Sequence, residues 1–257
     1  MNISDVRGVI FDVDDTLLSN HPPQISWGLH ERSRVMAAQV AGKRHGIRGL
    51  QELTDAQAYR DFHDSSVHSL HGAIWQTLKR IGEVRGELDL THPLILEMVA
   101  LKDDLHEKTL RKHGREVPGA TKFVKSLAAG GLEGKLAVAS TSYRRDVLVF
   151  FDMANLHPFF PDKRIITREK FTHPKPHPES FELAFASLGL PGKTGVIAFE
   201  DDPRGVASAK GAGLFTCAIT TRFSRDDLAK LDTPPDLIAD SYAEFARLLG
   251  VSGNMLV

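Results

Sequence analysis

The chain has 257 residues, 42% of them apolar, which is enough for one full α/β core and an inserted or appended module. Its 32 basic and 33 acidic residues are balanced, and no run of lysine or arginine marks a nucleic-acid surface or a polybasic membrane patch. There is no leader pattern, no apolar run near the ~20 residues that cross a bilayer, and only one cysteine, Cys217, so we expect a cytoplasmic protein. We expect its partner to be a small molecule, neither nucleic acid nor membrane.

Short, continuously apolar runs alternate with helical patterns along most of the chain. Such runs are typical of strands that are covered on both faces. The predicted strands are residues 7–13, 135–140, 164–166, 195–199, 214–219 and 236–239. The predicted helices of this part are residues 119–129, 144–151, 178–188, 202–212 and 241–249. This order predicts an α/β fold with a Rossmann-like parallel sheet and helices on both of its faces.

The alternation is interrupted by a long segment without a strand pattern, residues 21–115. Its sequence predicts three long helices, at 24–43, 54–81 and 92–112, and turn-prone sequences close it at both ends. We therefore expect an inserted helical domain at 21–115 and an α/β core domain made of residues 1–20 and 116–257.

Three acidic residues stand where the first predicted strand ends: Asp12, Asp14 and Asp15. Ligands of open α/β sheets bind beyond the carboxyl ends of the strands. Because residues i and i+2 of a strand point to one side, Asp12 and Asp14 can converge while Asp15 faces elsewhere. Two buried, unpaired carboxylates would repel each other, so a cation is expected between them, and hard oxygen ligands favour Mg²⁺.

Further polar side chains follow later strands. The strand at 135–140 leads into three hydroxyl residues at 140–142, which can hold an anion. Lys175 lies between two prolines just before a predicted helix, and Glu200 and Asp201 follow the strand at 195–199 and can complete a metal site. A cation site, a lysine and several hydroxyls that face two aspartates predict phosphoryl transfer.

Each of these groups also has an ordinary structural interpretation when it is taken alone. Aspartates at strand ends are often turn residues, Lys175 alone would be a surface lysine, and the acids at 200–202 could cap the following helix. The glycines Gly205, Gly211 and Gly213 are better explained by close helix–sheet packing and helix termination than by ligand contacts. The functional hypothesis therefore rests on the combination of groups, in order and at strand ends.

The combination resembles the haloacid dehalogenase (HAD) superfamily of hydrolases, in subfamily I, whose helical cap is inserted after the first motif, as in β-phosphoglucomutase and phosphoglycolate phosphatase. The four motifs appear in order as Phe11-Asp12-Val13-Asp14-Asp15-Thr16-Leu17, Ser140, Lys175-Pro176-His177-Pro178 and Glu200-Asp201-Asp202-Pro203-Arg204-Gly205. The likeness spans the whole core, whereas the insert matches in position and helical character. It implies a HAD-like core with a helical cap domain.

The resemblance also implies a role for each acid. Asp12 would be the nucleophile that becomes an aspartyl phosphate, and Asp14 would act as general acid and then as general base. Mg²⁺ would be held by Asp12, Asp201 and Glu200, with the backbone carbonyl of Asp14 as a further ligand.

The phosphoryl group would be bound by Ser140 and Lys175, with Thr141 as the second choice of hydroxyl. Lys175 would also offset charge on the aspartyl group. Arg144 would reach a distal acidic group of the substrate, or else be a solvent-facing helix arginine.

Asp14 limits the reactions to be expected, because the dehalogenases and phosphonate-cleaving members of this superfamily lack an acid at the corresponding position. We therefore expect a Mg²⁺-dependent phosphatase of a small phosphorylated metabolite, a sugar phosphate or phospho-acid, acting as a monomer. The alternative is a β-phosphoglucomutase-like sugar phosphomutase, for which residues 46–49 offer an approximate match to the arginine loop of the cap. A phosphate- or nucleotide-sensing module of low turnover is a third hypothesis, which the intact Asp12, Asp14 and Lys175 disfavour.

Overall fold

The computed structural model describes residues 2–21, 27–65 and 69–251, and the chain divides into two compact units. One unit is formed by Met1–Ser19 together with Arg115–Val257, and the other by Asn20–Gly114. Among the helices of the described ranges, none is both long and apolar enough to cross a bilayer.

The strands lie in the unit that contains both ends of the chain. They are β1 (Gly8–Phe11), β2 (Leu18–Ser19), β3 (Arg115–Glu116), β4 (Leu136–Ala139), β5 (Ile165–Ile166), β6 (Val196–Glu200), β7 (Phe215–Ile219) and β8 (Leu237–Ala239). Six of them form one parallel sheet in the order β5-β4-β1-β6-β7-β8, and β2 pairs with β3 in an antiparallel ribbon. The six predicted strands and their parallel arrangement are thus confirmed, whereas the ribbon was not predicted.

The register of the sheet aligns the strand ends that matter for function. Phe11, the last residue of β1, lies opposite Val138 of β4 on one side and Phe199 of β6 on the other. The carboxyl ends of these three central strands therefore meet at one edge of the sheet. Polar residues that follow β1, β4 and β6 are brought together there.

The Asn20–Gly114 unit is helical, and its described helices are α1 (Leu29–His45), α2 (Arg48–Gln51), α3 (Asp55–His63), α4 (Leu70–Arg80) and α5 (Pro93–His113). The prediction of one helix over 54–81 is wrong, because α3 and α4 are separate. The Ser69 side chain starts α4 by accepting the N–H of Gly72 at 3.0 Å. Positions 24–26 of the first predicted helix lie outside the described residues.

The helices of the sheet-containing unit are α6 (Ala120–Leu127, followed by a π-helical turn at Ala128–Leu132), α7 (Arg144–Ala154), α8 (Glu179–Leu188), α9 (Pro203–Gly211), α10 (Arg225–Ala229) and α11 (Tyr242–Leu249). Short 3₁₀ segments lie at Ile3–Asp5, His157–Phe159, Asp162–Arg164 and Arg168–Lys170. The five helices predicted for this part are confirmed, and α10 is additional.

Different helices cover the two faces of the sheet. Ile10 of β1 lies in a buried cluster with Phe181 of α8. The next residue, Phe11, points to the opposite face, where it packs edge-on against Phe123 of α6 and stacks on Phe199 of β6, with ring centroids 6.5 and 5.0 Å apart. Burial on both faces explains why the central strands are continuously apolar.

Candidate active site

One buried lysine is shared by two carboxylates at the edge where the central strands end. Asp12 directly follows β1, and its N–H donates to the carbonyl of Phe199 at 2.9 Å. Lys175 Nζ donates to Asp12 Oδ1 at 2.6 Å and to Glu200 Oε1 at 2.5 Å. The side chains of Lys175, Asp12 and Glu200 are only 8%, 9% and 1% exposed. Charge-assisted hydrogen bonds that are shielded from solvent hold the three groups in a defined geometry.

The electrostatics of the cluster show an excess of negative charge. Burial raises the pKa of Asp12 well above its ordinary value; Lys175 opposes this shift, and the charges of Glu200 and Asp14 reinforce it. Burial, and then the charges of Glu200 and Asp12, likewise raise the pKa of Asp201. Although burial disfavours the ammonium form, the attraction of Asp12 and Glu200 raises the pKa of Lys175. One lysine therefore does not balance the surrounding acids.

The same acids fit a divalent cation. Asp12, Glu200 and Asp201 each offer a carboxylate oxygen within 4.8 Å of the others. Thr16 Oγ1 donates to Oδ1 of Asp201 at 3.1 Å, whereas Oδ2 of Asp201 is buried without a hydrogen-bond partner in the described structure. A buried, unpaired carboxylate oxygen is costly unless something positive meets it. Hard oxygen donors around that atom fit Mg²⁺.

Asp14 has a different environment from Asp12. Its side chain is partly exposed, and Oδ2 accepts a hydrogen bond from Ser142 Oγ at 2.5 Å. Ser140 directly follows β4 and is fully buried, and its Oγ accepts the N–H of Ser142 at 3.0 Å. Thr141 is exposed. The loop after β4 thus brings a serine hydroxyl to Asp14, a contact that the sequence analysis did not identify.

Asp15 belongs to a separate contact network. It adopts a left-handed backbone conformation with φ +58°, and Thr221 Oγ1 donates to its carbonyl oxygen at 2.5 Å. Its carboxylate lies 3.6 Å from the Arg222 guanidinium. A short polar side chain tolerates this backbone conformation better than most others do.

Arg144 lies at the start of α7. Its guanidinium Nη2 pairs with Asp162 at 2.8 Å, and its backbone N–H donates to Glu169 at 2.9 Å. A contact between Arg144 and a substrate would therefore require the ion pair with Asp162 to open.

Two residues that were not predicted to belong to the site, Gly205 and Tyr242, help to position its side chains and backbone. A Cβ at Gly205, in the first turn of α9, would come within 2.0 Å of the Glu200 carboxyl group, so only glycine leaves room for that side chain. The Tyr242 hydroxyl of α11 donates to the carbonyl of Thr16 at 2.9 Å. Gly205 could have been found from its place in the fourth motif, but no local signal links Tyr242 to Thr16, 226 positions away.

The loop that carries Lys175 is held by the first residue of α8. The Glu179 carboxylate accepts the backbone N–H groups of Thr172 and His173 at 3.0 and 2.8 Å. These two hydrogen bonds, together with the contact to the His173 ring, lower the pKa of Glu179 to about 2. The carboxylate therefore anchors one end of the Lys175 loop to the helix.

Comparisons with known proteins identify a family. The model of the haloacid dehalogenase-like hydrolases matches residues 6–213. Glycerol-1-phosphate phosphohydrolase 1 of Saccharomyces cerevisiae is 34% identical over 134 residues, which are 50% of this chain and 52% of that protein. The chain thus matches about half the length of this curated relative.

Two solved structures share the fold over nearly the whole chain. A HAD hydrolase of family IA, variant 3, from Entamoeba histolytica has a TM-score of 0.71 and 20% identity, covering 96% of this chain and 99% of its own. CbbY from Rhodobacter sphaeroides, in complex with phosphate, has a TM-score of 0.67 and 21% identity, covering 93% and 96%.

Proposed function

Because the chain belongs to the haloacid dehalogenase-like hydrolases, we propose that it is a Mg²⁺-dependent phosphatase that hydrolyses small phosphomonoesters through an aspartyl phosphate on Asp12. The observation that supports this most is the buried contact of Asp12 with Lys175, with Glu200 as the second partner of the lysine. A nucleophilic carboxylate is useful only if it stays ionised, and Lys175 opposes the effect of burial on its pKa.

In the first step an oxygen of Asp12 attacks phosphorus, and the bond between phosphorus and the alcohol oxygen breaks. Lys175 offsets negative charge on the aspartyl oxygen and on the phosphoryl group. Ser140 and Thr141, which follow β4, would donate hydrogen bonds to the phosphoryl oxygens. Lys175 is held by Asp12 and Glu200 before substrate arrives, and such preorganisation is what electrostatic stabilisation of a transition state requires.

Asp14 acts as the general acid in the first step and as the general base in the second. Protonated Asp14 gives its proton to the leaving alcohol, and the resulting carboxylate then removes a proton from the water that attacks the aspartyl phosphate. The second step releases phosphate and returns Asp12 as a free carboxylate. Ser142 Oγ, at 2.5 Å, orients the Asp14 carboxyl group for both transfers.

Asp12, Asp201 and Glu200, with the backbone carbonyl of Asp14, would hold Mg²⁺, which when bound supplies positive charge to the phosphoryl oxygens. Asp201 is the strongest ligand candidate because its Oδ2 is buried without a hydrogen-bond partner among the described residues. Both Glu200 oxygens already accept hydrogen bonds, Oε1 from Lys175 and Oε2 from the Asp201 N–H. Besides its proposed role as a metal ligand, Glu200 therefore positions Lys175.

The substrate class is a small phosphorylated metabolite. This proposal is supported by the name of the yeast relative, a glycerol-1-phosphate phosphohydrolase. We also propose that the protein acts as a cytoplasmic monomer. Arg144 is kept as a candidate contact for a second acidic group, provided that Asp162 releases it.

The proposal is tested by phosphate release from a panel that contains an aryl phosphate, glycerol phosphate and several sugar phosphates. Turnover should stop on chelation, return with Mg²⁺ and be poorly supported by Ca²⁺, whose coordination is larger and looser. Full activity after exhaustive chelation would contradict the metal assignment. An isomerised sugar phosphate without phosphate release would identify a mutase instead.

The roles of the two aspartates are separated by trapping the phosphoenzyme. Asp12→Asn should form no covalent phosphate, whereas Asp14→Asn should form it slowly and fail to hydrolyse it. Asp15→Asn is the matched control, since Asp15 pairs with Arg222 rather than with Lys175. Equal trapping in the Asp12 and Asp14 variants, measured by mass spectrometry of the intact protein, would overturn both roles.

A further inference from the structure

The Lys175 loop carries a second cluster of metal-ligating side chains, made of different donors from the acidic site. His173, His177 and Glu179 each offer a ligand atom within 4.8 Å of the others. The His173 side chain is 62% exposed and that of Glu179 is 25% exposed, so an ion can reach them from solvent. The proposed phosphatase mechanism uses none of these three side chains.

We propose that His173, His177 and Glu179 form a second metal site, which takes Zn²⁺ or a related first-row transition ion. Two imidazoles and one carboxylate are a ligand set of borderline softness that suits zinc, copper or nickel. Mg²⁺ prefers oxygen ligands and is held poorly by imidazole. The two metal sites of the chain would therefore select different ions.

The separation of the donors suits a single small ion. His173 Nδ1 lies 2.9 Å from Glu179 Oε2. Two ligands at about 2.0–2.1 Å from a tetrahedral Zn²⁺ are about 3.3 Å apart, so an ion can replace the proton between them if the gap widens by about 0.4 Å. The His173 and His177 rings are in contact, with centroids 4.6 Å apart and planes inclined at 34°. Their nitrogens can meet one ion after small rotations of exposed side chains.

Backbone contacts hold the ligands in place before any ion binds. The N–H groups of Thr172 and His173 donate to the Glu179 carboxylate and fix its orientation. The backbone N–H of Glu179 donates to Nδ1 of His177 at 3.3 Å, so Nδ1 carries the lone pair of the neutral ring, and an ion that binds this ring would replace that long hydrogen bond. Because the ligand positions are already restricted, binding loses less conformational entropy than it would in a flexible loop.

The residues of the proposed second metal site lie close to Lys175 in the sequence. His173 and His177 stand on either side of the lysine, and Glu179 is the first residue of α8. A bound ion would therefore connect both sides of the lysine loop to the helix that follows it.

The test measures Zn²⁺ affinity by competition with a chromogenic chelator, on the full chain and in excess Mg²⁺, which competes with zinc for the proposed acidic site. We expect one tight zinc ion per chain, and an affinity lower by at least about tenfold in His173→Gln and in His177→Gln. The matched control is His157→Gln: His157 makes an exposed carboxylate pair with Asp152 at 2.7 Å but belongs to no group of three ligands in the described part of the chain. Its zinc affinity should equal that of the parent.

A spectroscopic measurement identifies the ligands directly. Electron paramagnetic resonance of the Cu²⁺-loaded protein should show coupling to two imidazole nitrogens in the parent and to one in each of the two variants. The proposal would be overturned if neither substitution changed the zinc affinity, or if Mg²⁺ displaced the zinc. In both cases the ion would lie elsewhere. Circular dichroism without metal checks folding, and the highly exposed His173 keeps the test decisive if His177→Gln proves unstable.

Discussion

Replacement of Gly205 by alanine should damage the site without removing any functional group. The new Cβ would lie 2.0 Å from Cδ and 2.1 Å from both carboxylate oxygens of Glu200, whereas ordinary contact begins near 3.4 Å. One partner must therefore move by 1.4 Å, the difference between 3.4 and 2.0 Å. Both lie in packed structure, with Glu200 at the end of β6 and Gly205 in the first turn of α9.

The consequence for function follows from the partners of Glu200. A shift of that size would stretch its 2.5 Å hydrogen bond to Lys175 beyond hydrogen-bonding distance and leave the lysine with Asp12 alone. A misplacement of about 1 Å in a catalytic group can lower turnover by about 100-fold, so we expect kcat/KM for an aryl phosphate to fall by about that factor. Overpacking should also lower the free energy of unfolding in urea by about 1–3 kcal/mol.

Gly211→Ala is the matched control for this experiment. Gly211 ends the same helix, and the nearest atom to a new Cβ there is Pro178 Cβ at 3.5 Å, an ordinary contact. Alanine at Gly211 should therefore leave activity unchanged. If Gly205→Ala matched this control in turnover and in stability, the close approach of Glu200 to α9 would not matter and the reasoning would be refuted.

Three further predictions test single contacts. Tyr242→Phe removes the donor to the Thr16 carbonyl and should lower the free energy of urea unfolding by about 1–3 kcal/mol; no change would show that the hydroxyl adds nothing. Because the folded-state pKa of Glu179 is lowered from 4.5 to about 2, its stabilisation is present above pH 4.5 and lost as pH falls towards 2. The stability difference between the parent and Glu179→Gln should shrink over that range, and a constant difference would contradict the shift. Asp201→Asn should weaken Mg²⁺ binding in calorimetry by at least about tenfold, and unchanged binding would remove Asp201 from the ligand set.

Local pattern was enough to predict the sheet, because burial on both faces leaves a continuous apolar run in each central strand. The position of the acids after β1 and β6 could be predicted for the same reason, since a polar residue that ends a buried run must lie at the edge of the sheet. Local pattern was insufficient between residues 54 and 81. There the helical periodicity continues, but α3 and α4 are separate helices, and a serine hydroxyl caps the start of the second.

The contacts that make the site specific depend on tertiary structure. The sequence indicates Asp12, Lys175 and Glu200 individually, but not that one ammonium joins both carboxylates. Nor does the sequence indicate that Ser142 Oγ meets Asp14, 128 positions away.

The physical reason is the range of each effect. Strand and helix patterns reflect the burial and backbone preference of each residue and its near neighbours, which the sequence carries directly. A hydrogen bond between distant residues exists only after the sheet has aligned its strand ends and the helices have packed on both faces. The sequence therefore determined which groups come to this edge, and the tertiary structure decided which atom of one meets which atom of another.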